Sequence, residues 1–339
     1  MRLKEFDYNL PKELIAQRPI KKRDESRLLV LDRKSGEIKD LRFKDIVNFL
    51  GKGDLLVLND TKVIPARLIG KKRDTGDHIE VLLLRKIERD LWEVLIKPGK
   101  RVKKGIQIVF GEGLSGEVID RTDFGTRLIR FYYRGRFDKI LDKIGKTPLP
   151  PYIKNETVDR ESYQTIYAKR KGASACPTAG LHFTRYLLKR IEDIGVNLAF
   201  ITLHTGLGTF RPVKCEDIQN HHMHPEYYEV REDVAKGIND TMKRRGRIIA
   251  CGTTVVRTLE TVASINGVKG SKGWTDLFIY PGFRFQIVDC LITNFHLPKS
   301  TLLMLVSAFA GMELIKTAYL HAIKNNYRFY SFGDAMLII

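Results

Sequence analysis

Residues 289–311 read Asp-Cys-Leu-Ile-Thr-Asn-Phe-His-Leu-Pro-Lys-Ser-Thr-Leu-Leu-Met-Leu-Val-Ser-Ala-Phe-Ala-Gly: an apolar strand, a dense polar turn, then an apolar helix. In the turn an amide (Asn294), an imidazole (His296), an ammonium (Lys299) and three hydroxyls (Thr293, Ser300, Thr301) fall where a helix start leaves backbone N–H groups unpaired. Strand, polar loop and helix recur along the second half of the chain. Asn197 to Leu203 precedes His204, Arg247 to Cys251 precedes Gly252, Leu277 to Tyr280 precedes Pro281, and Phe285 to Ile292 precedes Thr293. The alternation predicts an α/β fold, a mixed sheet with helices, whose ligand loops lie at the carboxyl ends of strands.

From Lys62 to Lys146 the texture differs. Short alternating runs between Gly, Asp and Lys turns (His78 to Leu84, Leu91 to Ile96, Gly105 to Phe110, Leu114 to Ile119, Thr126 to Tyr133) predict a small antiparallel β-barrel or sandwich. Phe137 to Ile144 reads as an amphipathic helix closed by Gly145, and Pro148-Leu149-Pro150-Pro151-Tyr152 as a rigid boundary. Leu28 to Leu31 and Asp54 to Leu58 are strand-like and Phe43 to Leu50 helix-like, so the first 60 residues belong with the α/β part. The expected organisation is an α/β domain of residues 1–60 and 148–339, with a basic β-barrel of residues 61–147 inserted into it.

At 339 residues the chain is long enough for about two domains with full cores. No apolar stretch approaches the roughly 18 residues of a membrane span, so no membrane partner is expected. Met1 to Asp7 lacks a signal peptide's apolar segment, and the four cysteines lie far apart without paired spacing, as free thiols in a reducing cytoplasm would. Lys and Arg number 59 against 40 Asp and Glu, a net charge of +19 that points to nucleic acid. Lys62 to Lys146 alone holds 21 Lys and Arg against 12 Asp and Glu. Its hairpin, with Lys97, Lys100, Arg101, Lys103 and Lys104, is the expected phosphate-facing element rather than a merely solvated turn.

Four more loops share the character of the opening one: Cys176 to Thr184, His204 to Pro212, Gly252 to Glu260 and Tyr280 to Phe285. Glycines allow close backbone approach, hydroxyls grip ribose or phosphate oxygens, and aromatics stack on a base. Gly206 and Gly208 lack the third glycine of a dinucleotide fingerprint, and Pro298-Lys299-Ser300-Thr301 lacks the glycines of a phosphate cradle. His221-His222-Met223-His224-Pro225-Glu226 offers zinc-ligand types, but Pro225 breaks any helical frame, so a substrate-orienting loop with no metal is expected. His182, His204, His224 and His296 all fall in these loops, where imidazole is the usual proton carrier near neutral pH.

Taken together the loops resemble the S-adenosylmethionine:tRNA ribosyltransferase-isomerase family of queuosine biosynthesis. The resemblance runs nearly end to end: Phe6-Asp7-Tyr8, Glu13-Leu14-Ile15-Ala16-Gln17, Ser26-Arg27-Leu28-Leu29-Val30-Leu31, Asn59-Asp60-Thr61-Lys62-Val63-Ile64-Pro65-Ala66-Arg67-Leu68, the five loops, and Tyr327 to Met336. Cys176 and Ala173 depart from the family's usual residues without touching a hydroxyl or histidine. The resemblance implies an α/β domain carrying an inserted barrel. It implies a transferase that moves the ribosyl group of S-adenosylmethionine onto 7-aminomethyl-7-deazaguanine in tRNA, with S-adenosylmethionine as substrate and no true cofactor. The expected assembly is a monomer.

On that footing His296 or His182 is the expected base, with Asp289, Glu226 and Asp60 as rivals and Phe183, Phe210 and Phe283 as an apolar wall. Thr178, Gly180, Gly252, Thr253 and Thr254 are expected to meet the adenosyl group, and Asn294, Lys299 and Ser300 the methionine carboxylate or ribose. Arg67, Arg211 and Arg257 are expected to read guanine or phosphate edges. Asn59, His204, Gly206, Gly208, Thr209, His224, Pro281 and Gly282 complete the expected substrate site. Two other classes fit parts of the pattern: an S-adenosylmethionine-dependent RNA methyltransferase, and a non-catalytic RNA-binding module that would leave the histidine-bearing loops unexplained.

Overall fold

The computed structural model describes residues 1–99, 102–122, 125–154, 159–206 and 213–339. In chain order its elements begin with β1 (Arg27–Leu31), β2 (Ile38–Arg42), β3 (Leu55–Asn59) and β4 (Thr61–Val63). There follow β5 (Arg67–Lys72), β6 (His78–Lys86), β7 (Leu91–Lys97), β8 (Gln107–Gly111), β9 (Leu114–Arg121), β10 (Arg127–Tyr132) and α1 (Phe137–Ile144). Next come β11 (Arg170–Ala173), α2 (Arg185–Asp193), β12 (Asn197–His204), β13 (Glu226–Val230), α3 (Glu232–Lys243), β14 (Ile248–Cys251) and α4 (Thr253–Val262). The chain closes with β15 (Ala263–Ser264), β16 (Gly267–Val268), β17 (Ser271–Thr275), β18 (Cys290–Asn294), α5 (Thr301–Ala310), α6 (Met312–Lys324) and β19 (Ala335–Ile338). Two compact units result: Met1–Thr61 with Pro151–Arg170 and Cys176–Ile339, and Lys62–Pro150 with Lys171–Ala175.

The first unit is built on a nine-stranded mixed sheet in the order β17-β13-β12-β3-β14-β18-β19-β1-β2. Its central strands are apolar at nearly every position because both faces are covered. Leu29, Leu31, Leu55, Val57, Ile248, Ala250, Leu291, Met336 and Ile338 enter one core, and Leu28, Val30, Leu56, Leu58, Ile249, Cys251, Ile292 and Leu337 the other. This strict alternation, with helices on both sides, is what an α/β sheet requires. Among the described residues no single helix is long and apolar enough to cross a membrane.

One expected strand is absent and another begins late, where side chains take up backbone hydrogen bonds. Leu277 to Tyr280 is irregular: the Arg257 guanidinium donates to the Leu277 and Thr275 carbonyls, and the Leu277 N–H goes to Thr275 Oγ1. The run from Phe285 becomes a strand only at Cys290, because the Gln286, Ile287 and Val288 N–H groups all donate to the Glu260 carboxylate at 2.9–3.1 Å. Phe43 to Phe49 is a 3₁₀ helix rather than an α-helix.

The second unit holds a closed antiparallel barrel, β10-β7-β6-β5-β8-β9. Five of its strands sit where alternation predicts them, and the sixth, β5, falls in the Arg67 to Lys72 run. At Gly70 a Cβ would stand 2.7 Å from Phe110, so the barrel closes only over a bare backbone there.

Glu260 is 6% exposed, and burial pushes its carboxyl above the usual range even though three backbone donors oppose the shift. Removing it leaves three N–H groups without their acceptor. Glu260→Ala is therefore expected to destabilise the protein by about 3 kcal/mol or more in urea denaturation; a loss under about 1 kcal/mol would show that water replaces the carboxylate.

Candidate active site

Four parallel strands end on one edge of the sheet: β12 at His204, β3 at Asn59, β14 at Cys251 and β18 at Asn294. Beyond those ends opens a cleft. Thr205, Gly252, Thr253 and Thr254, the run from Thr293 to Leu297, Ser300 and Thr178 line it. Nearly all come from loops directly after a strand or from the start of a helix.

Gly252 turns the chain from β14 into α4 at φ +95°, a backbone angle that favours glycine, and its carbonyl accepts the Val255 and Val256 N–H groups. No side chain caps α4, and among the described residues the Thr253 and Thr254 N–H groups carry no hydrogen bond. The positive end of a ten-residue helix thus faces the cleft with two unsatisfied donors. By contrast α5 is capped from within, since Ser300 Oγ accepts the Leu303 N–H at 3.1 Å and donates to the Leu297 carbonyl.

Asn59 staples the edge. Its amide donates to the Leu203 carbonyl and to Thr254 Oγ1, and its oxygen accepts the Thr61 and Leu203 N–H groups, tying β3, β12 and the start of α4 together. Asp60 accepts from Thr202 Oγ1 at 2.6 Å, and burial raises its pKa.

The four loop histidines separate into distinct situations. Asn294 Oδ1 accepts from Thr178 Oγ1, and its amide nitrogen faces the Asp334 carbonyl and His182 Nε2, which fixes the amide orientation. His182 Nε2 is therefore an acceptor, so Nδ1 carries the proton and donates to Ser26 Oγ at 2.7 Å, which passes a bond to the Arg23 carbonyl. Both nitrogens are used, the residue is absent from the cleft lining, and burial pushes its pKa down to about 3. His296 does line the cleft. Its Nε2 pairs with Thr293 Oγ1 at 2.8 Å, and among the described residues its other nitrogen has no partner. Burial holds it neutral, with a pKa of about 3, and the Tyr319 and Tyr8 hydroxyls grip its backbone N–H and carbonyl. His204 pairs with Thr61 Oγ1, stacks on Tyr227, and is pushed down to about 4 by burial. His224 is partly buried, two residues before β13.

Glu226 and Arg257, 5% and 3% exposed, form a buried ion pair. Glu226 also accepts the Gly206 N–H at 3.0 Å, so the pair holds the loop after β12 against α4. Arg257's donors are directed to Glu226 and two backbone carbonyls rather than into the cleft.

Several expected residues lie elsewhere. Asp289 is at the opposite end of β18, accepting the Ile248 N–H. Lys299 pairs with Asp7 at 2.6 Å outside the cleft lining. Phe183 is fully buried in a core against Phe43, Gly180 packs on Tyr167, and Pro281, Gly282 and Phe283 form a turn away from the lining. In the barrel Arg67 pairs with Glu80, while Lys97, Lys103 and Lys104 are exposed. The expected hairpin is instead a connection between strands that do not pair, β7 and β8, and Arg127 holds its described ends by donating to the Gly99 and Val102 carbonyls. Gly208, Thr209, Phe210, Arg211, Lys100 and Arg101 lie outside the described residues. Among the described residues no three His, Cys, Asp or Glu side chains converge to hold a metal ion.

Sequence reasoning also missed cleft residues. Tyr152, Tyr330 and Ser331 form one wall, with Tyr152 Oη 2.6 Å from Ser331 Oγ, and Thr205 Oγ1 is buried without a partner among the described residues. An orphaned buried hydroxyl in a cleft wall is the signature of a ligand contact.

Fold and cleft together define an α/β enzyme with its site at the carboxyl edge of a parallel strand set. Residues 3–338 match the family model described as "Queuosine biosynthesis protein", and the chain belongs to that family. It is 58% identical over 341 residues to the S-adenosylmethionine:tRNA ribosyltransferase-isomerase of Halothermothrix orenii, and 59% identical to that of Caldanaerobacter subterraneus subsp. tengcongensis, each covering the whole of both chains. Among solved structures it resembles the S-adenosylmethionine tRNA ribosyltransferase of Thermotoga maritima at 42% identity and TM-score 0.58, over 99% of this chain and 100% of that one.

The depressed histidine pKa values set an acid limit on stability. An unfolded imidazole takes up its proton near 6.5, whereas His182 and His296 stay neutral to about pH 3, so the unfolded state binds more protons between those values and acid favours unfolding. Stability should fall by up to about 1.4 kcal/mol per pH unit for each of the two on acidification from about pH 6. In urea titrations His182→Gln is expected to lower that slope by close to one proton; an unchanged slope would refute the assignment.

Proposed function

We propose that this protein transfers and isomerises the ribosyl group of S-adenosylmethionine onto 7-aminomethyl-7-deazaguanine at the wobble position of tRNA. The products are epoxyqueuosine in the tRNA, adenine and methionine. S-adenosylmethionine is consumed as a substrate, and no separate cofactor takes part. The observation that carries the reading is identity of 57 to 59% along the whole chain to relatives named for this activity. The cleft supports it with hydroxyls, unpaired amides and one lining imidazole. The protein works as a monomer in the cytoplasm.

The sulfonium of the donor acidifies the adjoining ribose 5′-carbon, and a base that removes a proton there leaves an ylide. His296 is assigned that role because it lines the cleft, starts neutral and has a ring nitrogen uncommitted among the described residues. Its proton affinity in the fold is low because burial disfavours the imidazolium. The Thr253 and Thr254 N–H groups at the start of α4 receive the methionine carboxylate, and the Thr205, Thr178 and Thr254 hydroxyls contact the ribose and adenine. His182 acts through Asn294, fixing the amide that orients Thr178. The exposed Lys97, Lys103 and Lys104 meet tRNA phosphates.

With precursor tRNA and labelled S-adenosylmethionine, adenine and methionine are the expected products; S-adenosylhomocysteine would instead mark a methyltransferase. His296→Ala should cut turnover by about a hundredfold or more while the circular dichroism spectrum is retained, and near-normal turnover would remove it as the base. Changing Lys97, Lys103 and Lys104 together to Ala should reduce the slope of log affinity for tRNA against log salt by about 0.9 for each phosphate that no longer meets an ammonium; an unchanged slope would take the barrel off the docking surface.

A further inference from the structure

At the outer edge of the nine-stranded sheet three aromatic side chains stand directly opposite one another across three strands. His204 on β12 pairs in register with Tyr227 on β13, and Tyr227 with Trp274 on β17. The rings touch in sequence, stacked at 5.6 Å between His204 and Tyr227 and edge-on at 5.7 Å between Tyr227 and Trp274. One end of this ladder adjoins the cleft, since Thr205, the residue after His204, lines it. The other end faces solvent: Trp274 is 49% exposed on the last strand of the sheet.

We infer that this ladder is a stacking platform for the unpaired bases beside the reacting base in a single-stranded RNA loop. The inference rests on the proposed tRNA substrate and adds a second contact surface to it, on the sheet rather than on the barrel. Cross-strand aromatic pairs also stabilise a sheet, but that role is served by packing rings under cover, and here the outermost residue is about half exposed. The electrostatics select the partner. Exposed Lys169, Arg170, Arg231 and Lys272 surround the ladder, and Lys272 shares its face and strand with Trp274. Two of these cations are paired with acids, Arg170 with Glu229 at 3.7 Å and Arg231 with Asp233 at 3.0 Å, which leaves Lys169 and Lys272 to meet phosphate. Aromatic faces among cations suit bases with their phosphates, and a duplex, whose bases are already stacked, cannot use them. A base held in the cleft brings its neighbours in the loop to the His204 end first.

The chain has two tryptophans, so Trp92→Phe leaves Trp274 as the sole reporter. Its emission should be quenched on titration with an anticodon stem-loop RNA and remain unchanged with an RNA duplex of equal length. Trp274→Ala should raise the KM for tRNA about tenfold, the worth of a stacked base, with the KM for S-adenosylmethionine unmoved and Trp274→Phe recovering most of the loss. Equal quenching by the duplex, or an unaltered KM for tRNA in Trp274→Ala, would overturn the platform. If the wild-type protein released no adenine, the ribosyl-transfer reading would fall and the fluorescence titration alone would decide the platform.

Discussion

Parallel pairing of β12, β3, β14 and β18 is the constraint on which the rest of the molecule depends. Strands that run the same way and are buried on both faces commit their backbone groups to the ladder and their side chains to two cores, leaving polar chemistry room only where they end. Because all four end on one edge, the loops that follow them converge without being adjacent in sequence. Thr205, Gly252 and Phe295 are far apart in the chain and share one cleft wall.

Buried charge in this fold has a structural role at the margins of that edge. The Glu260 carboxylate replaces a neighbouring strand for three successive N–H groups, and the Glu226–Arg257 pair bridges the loop after β12, helix α4 and the carbonyls near β17. Neither acid lines the cleft. A carboxylate whose oxygens are spent on backbone N–H groups or a guanidinium is held in place, which suits a scaffold.

The strands of both cores were legible because apolar period-2 runs with few interruptions have little choice of partner, and the barrel because its alternation is bounded by turn residues. Leu277 to Tyr280 and Phe285 to Val288 carry the same signal and form no strand: Arg257 and Thr275 take the Leu277 carbonyl and N–H, and the Glu260 carboxylate takes three successive N–H groups of the second run. The polar turn after Thr293 was legible as a site, but not its division of labour. Nothing in residue type separates His182, whose two nitrogens are spent on Ser26 and Asn294, from His296, which keeps one uncommitted among the described residues. Tyr152 and Ser331 were missed because each belongs to a segment whose local texture reads as linker or chain end; Ser331 precedes β19, which returns antiparallel beside β18, and Tyr152 meets it there through its hydroxyl.

The electrostatic character of the cleft bears on its ligand. Lys299, the one ammonium in the opening turn, is neutralised by Asp7 outside the lining, and burial keeps the imidazole of His296 neutral. What remains is a wall of hydroxyls and, at the start of α4, a partial positive charge without an ion. A donor such as S-adenosylmethionine carries a carboxylate, an ammonium and a sulfonium together. A lysine or an imidazolium in that wall would repel two of the three, whereas a helix start attracts the carboxylate at a defined spot and leaves the sulfonium unopposed. The same burial that keeps His296 uncharged is therefore what leaves that wall without an imidazolium, so that its positive character among the described residues is that of the helix start.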